Sequence, residues 1–311
     1  MKGNLLNLNN QTRVLLTGAG GMLGDAFYNL YTEKVEIMAT DIDLNDKWLQ
    51  YLDVRDYTEY SKQAYDFKPD IIIHLAALTD LEYCELNQDE AYETNTISVE
   101  NAVSIANNLG STLVYISTAG IFNGEKDIYS DWDEPDPINV YGNSKYMGEL
   151  YVVNNAIKYF VCRAGWMMGG GPKKDKKFVN KIINQINNGK TNLNIVNDKM
   201  GTPTYTYGFA NNVFELLKTP FYGVYNMVCP GLTSRYEVAL EIMKILNKND
   251  EITVNKVSSD YFSEEYFAPR PRSEMLVNTK LALRKLNLMP SWEISLKEYL
   301  KSFPLIKKYY N

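Results

Sequence analysis

A tyrosine and a lysine with helical spacing are the first residues of this sequence that could do chemistry. They are Tyr141 and Lys145, in the segment NVYGNSKYMGEL. Residues four apart lie on the same face of an α-helix. A free tyrosine has a pKa near ~10 and is a poor acid or base at neutral pH, but a neighbouring ammonium group favours its phenolate form. The sequence has a single histidine, His74, so we expect the tyrosine–lysine pair to move a proton in place of an imidazole.

A hydroxyl group would complete such a site. The segment ISTAG follows an apolar run and offers Ser117 or Thr118 at the end of a predicted strand. Carboxyl ends of strands are where ligands bind in open α/β sheets. The tyrosine–lysine spacing alone is a weak signal, because it can arise by chance in a chain with 24 tyrosines. The elements that position these residues must therefore decide between a reaction centre and a shared helix face.

A glycine-rich segment near the N-terminus predicts a nucleotide-binding turn. TGAGGMLG follows the apolar run RVLL and carries Gly18, Gly21 and Gly24 in the spacing GxxGxxG. Such glycines let the backbone approach a pyrophosphate, which then lies at the helix N-terminus. Asp41 ends the next predicted strand, close to the offset of about 20 residues at which a carboxylate holds an adenosine ribose. A carboxylate there repels a 2′-phosphate, which predicts NADH as the preferred cofactor; the alternative is that Asp41 only caps a turn.

The order of the predicted elements indicates the fold class. Short apolar strands alternate with helices up to about residue 165, which implies right-handed crossovers and a parallel sheet covered by helices on both faces. We predict a doubly wound (Rossmann) α/β dinucleotide-binding domain from residues 11–165 plus about 203–230. A second, smaller α/β substrate lobe is predicted from about 166–202 plus 231–311. The main predicted strands are RVLL, VEIMATD, PDIIIHLAA, TLVYISTAG and IKYFVCRAG.

Composition excludes several other classes of function. The net charge is −6, whereas general nucleic-acid binding requires a surplus of Lys and Arg. Cys84, Cys162 and Cys229 are odd in number and far apart, so we expect buried thiols and neither a zinc site nor a disulfide framework. No metal-ligating cluster is recognisable. The N-terminus lacks the apolar core of a signal peptide, and no apolar run approaches the ~20 residues that cross a bilayer, so we expect a cytoplasmic protein with no membrane partner.

Eight segments spread over nearly the whole chain carry a family resemblance. They resemble segments of the extended short-chain dehydrogenase/reductases, and within that family they are most similar to the dTDP-4-dehydrorhamnose reductases. The resemblance implies that NADH or NADPH reduces the C4 keto group of a nucleoside-diphosphate 4-keto-6-deoxyhexose, in the biosynthesis of dTDP-L-rhamnose or a related deoxysugar. The segments are LLTGAGGMLG, PDIIIHLAALTDLEYCE, ETNTISVENA, STAGIFNG, PINVYGNSKYMGE, CRAGWMMGG, DKMGTPTYT and the RP at 270–271.

The resemblance also implies roles for individual residues. Tyr141 would protonate the C4 alkoxide, Lys145 would assist it and bind the nicotinamide ribose, and Thr118 would bond the substrate's carbonyl oxygen. Asn95 and Trp166 have structural alternatives, as a polar helix residue and a core tryptophan. The implied cofactor contacts are Gly18, Gly21, Met22, Leu23, Asp41, Asp53, Val54, Leu75, Ala76, Ala77, Tyr141 and Lys145. The implied substrate contacts are Thr79, Asn95, Thr118, Trp166, Phe178 and Arg270.

Several segments could hold the nucleoside diphosphate. Arg270 and Arg272, which are bracketed by prolines, are stiff candidates for bidentate phosphate contacts. The lysines of PKKDKKF could also contact the diphosphate, or they could form a solvated face. Tyr205 and Tyr207 could stack on the base or belong to the core. The PKKDKKF lysines are Lys173, Lys174, Lys176 and Lys177.

One departure from the family pattern leaves the sugar open. The reductases commonly read Ser-Thr-Asp-Tyr, whereas Ala119 and Gly120 follow Thr118 here. Two other functions also stay open. One is an epimerase or dehydratase that retains its NAD, although dehydratases generally need a carboxylate where this chain has Ala119. The other is a non-catalytic, nucleotide-binding subunit like the regulatory subunit of methionine adenosyltransferase. A homodimer is possible.

Overall fold

The predicted alternation of strands and helices is present in the computed structural model, which describes residues 8–303. Strands that are buried on both faces of a parallel sheet read as continuous apolar runs, and the run Ile71–His74 is buried at every position. The strands are β1 (Arg13–Thr17), β2 (Glu36–Asp41), β3 (Gln50–Tyr51), β4 (Ile71–His74), β5 (Thr112–Thr118), β6 (Tyr159–Ala164), β7 (Trp166–Met168), β8 (Asn192–Val196), β9 (Met200–Gly201), β10 (Pro203–Tyr205), β11 (Gly223–Asn226), β12 (Thr233–Ser234), β13 (Thr253–Val257) and β14 (Ser273–Glu274).

Local signals set the helix ends. The Asp56 carboxylate caps one helix by accepting from the N–H groups of Thr58 and Glu59. Gly110, in a left-handed conformation, ends another, as its position after the apolar periodicity predicts. The helices are α1 (Met22–Tyr31), α2 (Tyr57–Phe67), α3 (Leu81–Leu86), α4 (Gln88–Tyr92), α5 (Ser98–Leu109), α6 (Val140–Asn155), α7 (Gly171–Lys174), α8 (Phe178–Asn187), α9 (Thr206–Leu217), α10 (Arg235–Ile245), α11 (Thr279–Leu283) and α12 (Trp292–Leu300), with a π-helical turn at Glu93–Ile97 and 3-10 turns at Ala119–Ile121 and Ser259–Phe262.

Seven strands form one parallel sheet in the order β11-β6-β5-β4-β1-β2-β3. The strand order reverses between β1 and β4, which are neighbours in the sheet although β2 and β3 separate them in the chain. Such a reversal leaves a crevice at the carboxyl ends of the two strands, and ligands of doubly wound proteins bind there. The prediction of a doubly wound α/β sheet is confirmed.

Helices cover both faces of this sheet. Tyr60 and Ala64 of α2 share a buried cluster with the inner residues of α5 and with Val152 of α6. On the other face, Phe27 of α1 and Phe209 of α9 belong to a second cluster, which continues into residues of α8, α10 and α12. Apolar packing is therefore continuous between that face of the large sheet and the C-terminal elements.

The remaining strands form three small sheets, ordered β10-β7, β12-β9-β14 and β13-β8. Strand β11 joins the large sheet, whereas β8, β9, β12, β13 and β14 lie outside it. The two-lobe division from the sequence stays a prediction, and its last residues, 304–311, lie outside the described residues. The strands β3, β7, β12 and β14 were not predicted, because two or three residues carry no readable periodicity.

Candidate active site

A cleft of about 1200 Å³ runs along the carboxyl ends of β1, β4 and β5. Gly18 and Asp41 line one end of it, and Tyr141 and Lys145 line the middle. Residues of α8 and α10 and the segment that ends at Glu274 line the other end. The residues predicted from the glycine turn and from the tyrosine–lysine pair thus face one continuous space.

The glycine turn brings the backbone of β1 against that of β4. Gly18 has φ +69°, and a Cβ there would lie 2.3 Å from the backbone nitrogen of Ala76, so only glycine fits. Gly21 is the N-cap of α1, and no side chain caps the first N–H groups of that helix. Those N–H groups and the helix dipole favour an anion at this end of the cleft. Met22 and Leu23, in the first turn of α1, also line the cleft.

Asp41 has the position predicted for a ribose ligand and also organises its own loop. Its Oδ2 accepts from the Gly20 N–H at 2.8 Å, and its Oδ1 accepts from the Asp43 N–H at 2.9 Å. Asp41 therefore caps the turn, as the alternative interpretation predicts, and it also lines the cleft. Each carboxylate oxygen has a second lone pair with which it can accept from a ribose hydroxyl.

The other predicted cofactor contacts also line the cleft. Asp53 is bound to Arg55, whose Nη2 lies 2.7 Å from its Oδ2, and this hydrogen bond lowers the pKa of the Asp53 carboxyl. Its charge is therefore already paired, and both Asp53 and its neighbour Val54 line the cleft. The three residues that follow β4 also line the cleft, namely Leu75, Ala76 and Ala77.

The N-terminal turn of α6 holds Tyr141 in place. Asn139 caps the helix by accepting from the Gly142 N–H at 2.6 Å, and its amide donates to the Pro269 carbonyl at 2.8 Å. A Cβ on Gly142 would lie 2.3 Å from the Gly120 carbonyl oxygen. This glycine therefore lets α6 approach the turn after β5, which places Tyr141 next to Thr118.

The hydroxyls of Tyr141 and Thr118 are hydrogen-bonded to each other at the middle of the cleft, and Tyr141 keeps its proton. Burial raises the pKa of Tyr141 to about 12, the charge of Glu274 raises it further, and the hydrogen bond to Thr118 opposes the rise. Tyr141 is thus a phenol at neutral pH and has a proton to give. The Thr118 hydroxyl accepts from the Gly120 N–H at 3.1 Å, which orients it. Of the two candidate hydroxyls, Thr118 lies beside the tyrosine, and Ser117 is buried.

Lys145 is almost completely buried, and burial makes its protonated form less favourable. Only 4% of it is exposed, and its ammonium lies 4.3 Å from the centre of the Tyr115 ring. Burial lowers the pKa of Lys145 to about 7, and the charge of Glu149 opposes this change. His74 lies deeper: burial lowers its pKa to about 3, and its ring nitrogens are each 3.2 Å from the hydroxyls of Thr17 and Ser98. His74 is therefore a neutral structural histidine.

Asn95 lies outside the cleft lining, although the family resemblance implies that it contacts the substrate. It is fully buried, and its Oδ1 accepts from the Leu78 N–H at 2.9 Å. Its amide donates to the Leu78 carbonyl and to the Ser144 hydroxyl, each at 3.0 Å. These hydrogen bonds join the loop after β4 to α6, as the structural alternative describes, and the substrate contact of Asn95 stays a prediction.

Trp166 and Phe178, which were predicted to contact the substrate, line the cleft together with an arginine that the sequence did not indicate. The Arg235 guanidinium lies 4.4 Å from the Trp166 ring and 5.2 Å from the Phe178 ring. Among residues 8–303 it has no hydrogen-bonding or ion-pair partner. It lies at the start of α10, in a segment without a recognisable motif, so only the tertiary structure reveals it.

Arg270 is already paired. Its guanidinium forms a forked contact with Glu82, with Nη1–Oε1 at 2.7 Å and Nη2–Oε2 at 2.9 Å, and Nη1 also donates to the Ala268 carbonyl. Arg270 still lines the cleft, so only part of its donor capacity faces a ligand. Arg272 pairs with Asp127 and lies outside the cleft lining.

The four lysines predicted to face the diphosphate divide into two pairs. Lys173 and Lys174 form ion pairs with Asp46. Lys176 and Lys177 line the cleft. The Lys177 amine donates to both oxygens of Thr79, and burial lowers its pKa.

Tyr205 and Tyr207 pack against the hydrophobic core and each other, which agrees with their core alternative. The three cysteines are free and buried. Between residues 8 and 303, no cluster of His, Cys, Asp or Glu side chains could hold a metal ion. In the same range, no helix has the length and hydropathy that a bilayer crossing requires.

Comparisons with known proteins agree with this geometry. Residues 12–304 match the family model described as RmlD substrate binding domain. The chain is 31% identical to the spore coat polysaccharide biosynthesis protein SpsK of Bacillus subtilis, over 93% of this chain and 97% of that protein. It is 25% identical to methionine adenosyltransferase 2 subunit beta of Xenopus tropicalis, over 96% and 90%. A crystal structure of dTDP-4-dehydrorhamnose reductase from Bacillus anthracis in complex with NADP has a TM-score of 0.85 and 32% identity, over 94% and 99%.

Proposed function

We propose a function for this chain from the premise that it belongs to the RmlD substrate binding domain family. The chain is an oxidoreductase that uses a nicotinamide cofactor to reduce the C4 keto group of a nucleoside-diphosphate 4-keto-6-deoxyhexose. The reaction is that of a dTDP-4-dehydrorhamnose reductase, in the biosynthesis of dTDP-L-rhamnose or a related deoxysugar. The observation that carries this proposal is the convergence of Thr118, Tyr141 and Lys145 on the cleft that also receives the glycine turn.

The residues at the nucleotide end fit a dinucleotide. The backbone at Gly18 leaves no room for a side chain, and the first N–H groups of α1 have no side-chain cap. The Lys145 amine has no hydrogen-bonding partner in the range 8–303, which leaves its donors for the hydroxyls of a ribose. The nicotinamide, when bound, supplies the hydride for C4.

The side chains of the chain itself supply the proton. The hydroxyls of Thr118 and Tyr141 bond the C4 oxygen and stabilise the negative charge that develops on it. Tyr141 then transfers its O–H proton to that oxygen and becomes a phenolate, which is unfavourable in a buried site. A protonated Lys145 offsets this cost, because its positive charge favours the phenolate.

Asp41 supports a preference for NADH. Its carboxylate lies at the end of β2, at the ribose end of the cleft, where it would repel a 2′-phosphate. The related reductase from Bacillus anthracis binds NADP, so the preference of this chain is a property of its own residues at this position.

Arg235 supports an assignment of the diphosphate site. Burial and the nearby Arg270 lower the pKa of Arg235, and Glu274 opposes them. Two like charges close together in a cleft favour an anionic ligand. We therefore assign the diphosphate to the space between Arg235, Arg270 and Lys177, with Arg235 as the least occupied donor.

The two alternatives are distinguishable from this function by their reactions. An epimerase or dehydratase would convert a nucleotide sugar with no net consumption of NADH. A regulatory subunit would bind the nucleotide and reduce nothing. The buried Tyr141, with its raised pKa, favours the reductase, because it holds a proton for an alkoxide.

The experiment that tests the function is an NADH-consumption assay on a panel of 4-keto nucleotide sugars, with each product identified by NMR. We expect stoichiometric oxidation of NADH and a new hydroxyl at C4 for at least one dTDP-linked substrate. Turnover without NADH oxidation would replace the proposal by the epimerase or dehydratase function. NADH binding without any turnover would replace it by the regulatory one.

A further inference from the structure

A carboxylate from the second lobe reaches the reaction centre. Glu274 lies on β14, which pairs with β9 through Glu274 and Gly201. A Cβ built on Gly120 would lie 3.5 Å from the Glu274 Oε1, 3.5 Å from the Thr118 Oγ1 and 3.5 Å from the Tyr141 Cε1. A group at that point is in ordinary van der Waals contact with all three residues. Glu274 therefore borders the space in which the oxygen bound by Thr118 and Tyr141 must lie.

One oxygen of Glu274 is fixed and the other is available. Oε2 accepts from the Trp166 Nε1 at 2.8 Å. Oε1 has no hydrogen-bonding partner within residues 8–303. Because Ala119 and Gly120 have at most a methyl side chain, nothing from the turn after β5 fills the space in front of Oε1.

The surroundings hold this carboxylate in a fixed place. The Trp166 ring packs directly on Gly201, because a Cβ at that position would lie 2.2 Å from the ring. This contact restricts the movement of the indole that binds Glu274. The nearby charges of Arg235 and Glu274 interact, and Glu274 also raises the pKa of Tyr141. A carboxylate that is fixed in advance loses little conformational entropy when it binds a ligand.

We propose that Glu274 accepts a hydrogen bond from the C3 hydroxyl of the hexose and so selects sugars that have a free hydroxyl next to the reacting carbon. This inference rests on the proposed function, which places the C4 oxygen at Thr118 and Tyr141. A 4-keto-6-deoxyhexose has two carbons next to C4. C5 carries the ring oxygen and a methyl group, so C3 is the neighbour with a hydroxyl to donate.

The role differs from that of a structural glutamate. A glutamate that only braced Trp166 would contribute equally to the binding of every nucleotide sugar. A glutamate that binds the C3 hydroxyl contributes only when that hydroxyl is present. Comparing a substrate with its 3-deoxy analogue therefore isolates the contact.

The test uses Glu274→Gln, which keeps the size of the side chain and an acceptor for Trp166 but removes the charge. The matched control is Glu264→Gln, an exposed residue of the same type that does not line the cleft. Binding of dTDP-4-dehydrorhamnose, its 3-deoxy analogue and dTDP is measured by calorimetry in the presence of oxidised cofactor. Binding is measured apart from turnover. If the protein binds the sugar but does not reduce it, the proposed function is wrong, but the binding data still test the role of Glu274.

We expect Glu274→Gln to weaken binding of the 3-hydroxy sugar by about ten- to a hundredfold, the range for a hydrogen bond to a charged group. Binding of the 3-deoxy analogue and of dTDP should change less than about twofold, and Glu264→Gln should change none of the three. Equal losses for both sugars would reduce Glu274 to a brace for Trp166. Unchanged binding of the 3-hydroxy sugar would also overturn the proposal.

Discussion

At the scale of single residues, Lys145 combines a catalytic position with a cost to stability. Burial lowers its pKa to about 7, whereas an unfolded lysine has a pKa near ~10.4. Between these values the unfolded state binds more protons than the folded state, so this group makes the protein more stable as the pH rises. Below about pH 7 both states are protonated, and the cost of burying the charge is complete.

Lys145→Met should therefore stabilise the cofactor-free protein at pH 7 and abolish the reductase activity. The gain over the wild type should shrink as the pH rises from 7 towards 10, by at most about 1.4 kcal/mol per pH unit. Urea unfolding of both proteins across this pH range measures it. A stability difference that does not depend on pH would show that the Lys145 pKa is not lowered.

A second prediction for a single residue concerns Asp41 and the preference for NADH over NADPH. Asp41→Ala should reduce the ratio of kcat/KM for NADH to that for NADPH, because the substitution removes the charge that repels a 2′-phosphate. Steady-state kinetics with both cofactors provide the measurement. The wild type must itself prefer NADH; an equal or better efficiency with NADPH would reject this role for Asp41.

Arg235 and Arg270 give a third prediction, which compares two candidate phosphate ligands. Arg235→Gln should raise KM for the nucleotide sugar by about ten- to a hundredfold, because the lost contact is charge-assisted. Arg270→Gln should raise it less, since Glu82 already binds that guanidinium. The control is Arg284→Gln, which removes an exposed arginine that does not line the cleft.

The Kd for NADH should stay unchanged in all three arginine variants. A larger effect at Arg270 than at Arg235 would reverse the assignment. An effect confined to NADH binding would move both residues away from the diphosphate.

At the scale of elements, helix α6 depends on a buried ion pair. Glu149 of α6 accepts from Nε and Nη2 of Arg163 on β6, at 3.1 and 2.5 Å, and both side chains are almost fully buried. Removing one member leaves the other charge buried without its partner, which typically costs about 3–5 kcal/mol. The pair therefore holds the helix of Tyr141 against the sheet.

Glu149→Gln should lower the free energy of unfolding by about that amount, and the apolar double variant Glu149→Leu with Arg163→Met should recover much of it. Urea unfolding compares the three proteins. A single variant as stable as the wild type would show that the pair is not buried as described.

The sequence predicted the elements with strong local signals. Strands β1, β4 and β5 each contain a continuous apolar run, at residues 14–16, 71–73 and 113–116, because both faces of a parallel sheet are buried. The glycine turn and Tyr141–Lys145 were found because each lies within one short segment. Glu274 and Arg235 were missed, since their place in the cleft depends on how β14 and α10 pack against elements that are distant in the sequence. Both contact Trp166, which lies well before them in the chain. The sequence left Asn95 open between a substrate contact and a polar helix residue for the same reason, because its partners Leu78 and Ser144 come together only in the fold.

At the scale of the whole molecule, two groups of structural elements line the cleft, one for the cofactor and one for the nucleotide sugar. The large sheet provides the glycine turn, Asp41 and Thr118, helix α6 provides Tyr141 and Lys145, and the C-terminal segments provide Arg235 and Glu274. A nucleotide sugar bound in this cleft contacts both sets of elements, so we expect the cofactor site and the sugar site to respond to different substitutions.

The proposed reaction depends on the transfer of a proton from Tyr141 to the C4 alkoxide. Two companion variants define the background for its test. Lys145→Ala should lower kcat and weaken NADH binding, because it removes both the charge and a ribose contact. Thr118→Val should mainly lower kcat, because it removes a hydrogen bond from the developing oxyanion.

The most direct measurement is the steady-state rate of Tyr141→Phe on a substrate confirmed by NMR to be reduced at C4, with NADH affinity measured by fluorescence titration. Phenylalanine keeps the ring and removes only the acid. General acid–base assistance contributes a factor of ~10²–10⁴, so kcat should fall by about that factor while NADH affinity stays nearly unchanged. A Tyr141→Phe enzyme with the wild-type kcat would show that Tyr141 does not supply the proton and that Tyr141 and Lys145 only share a helix face.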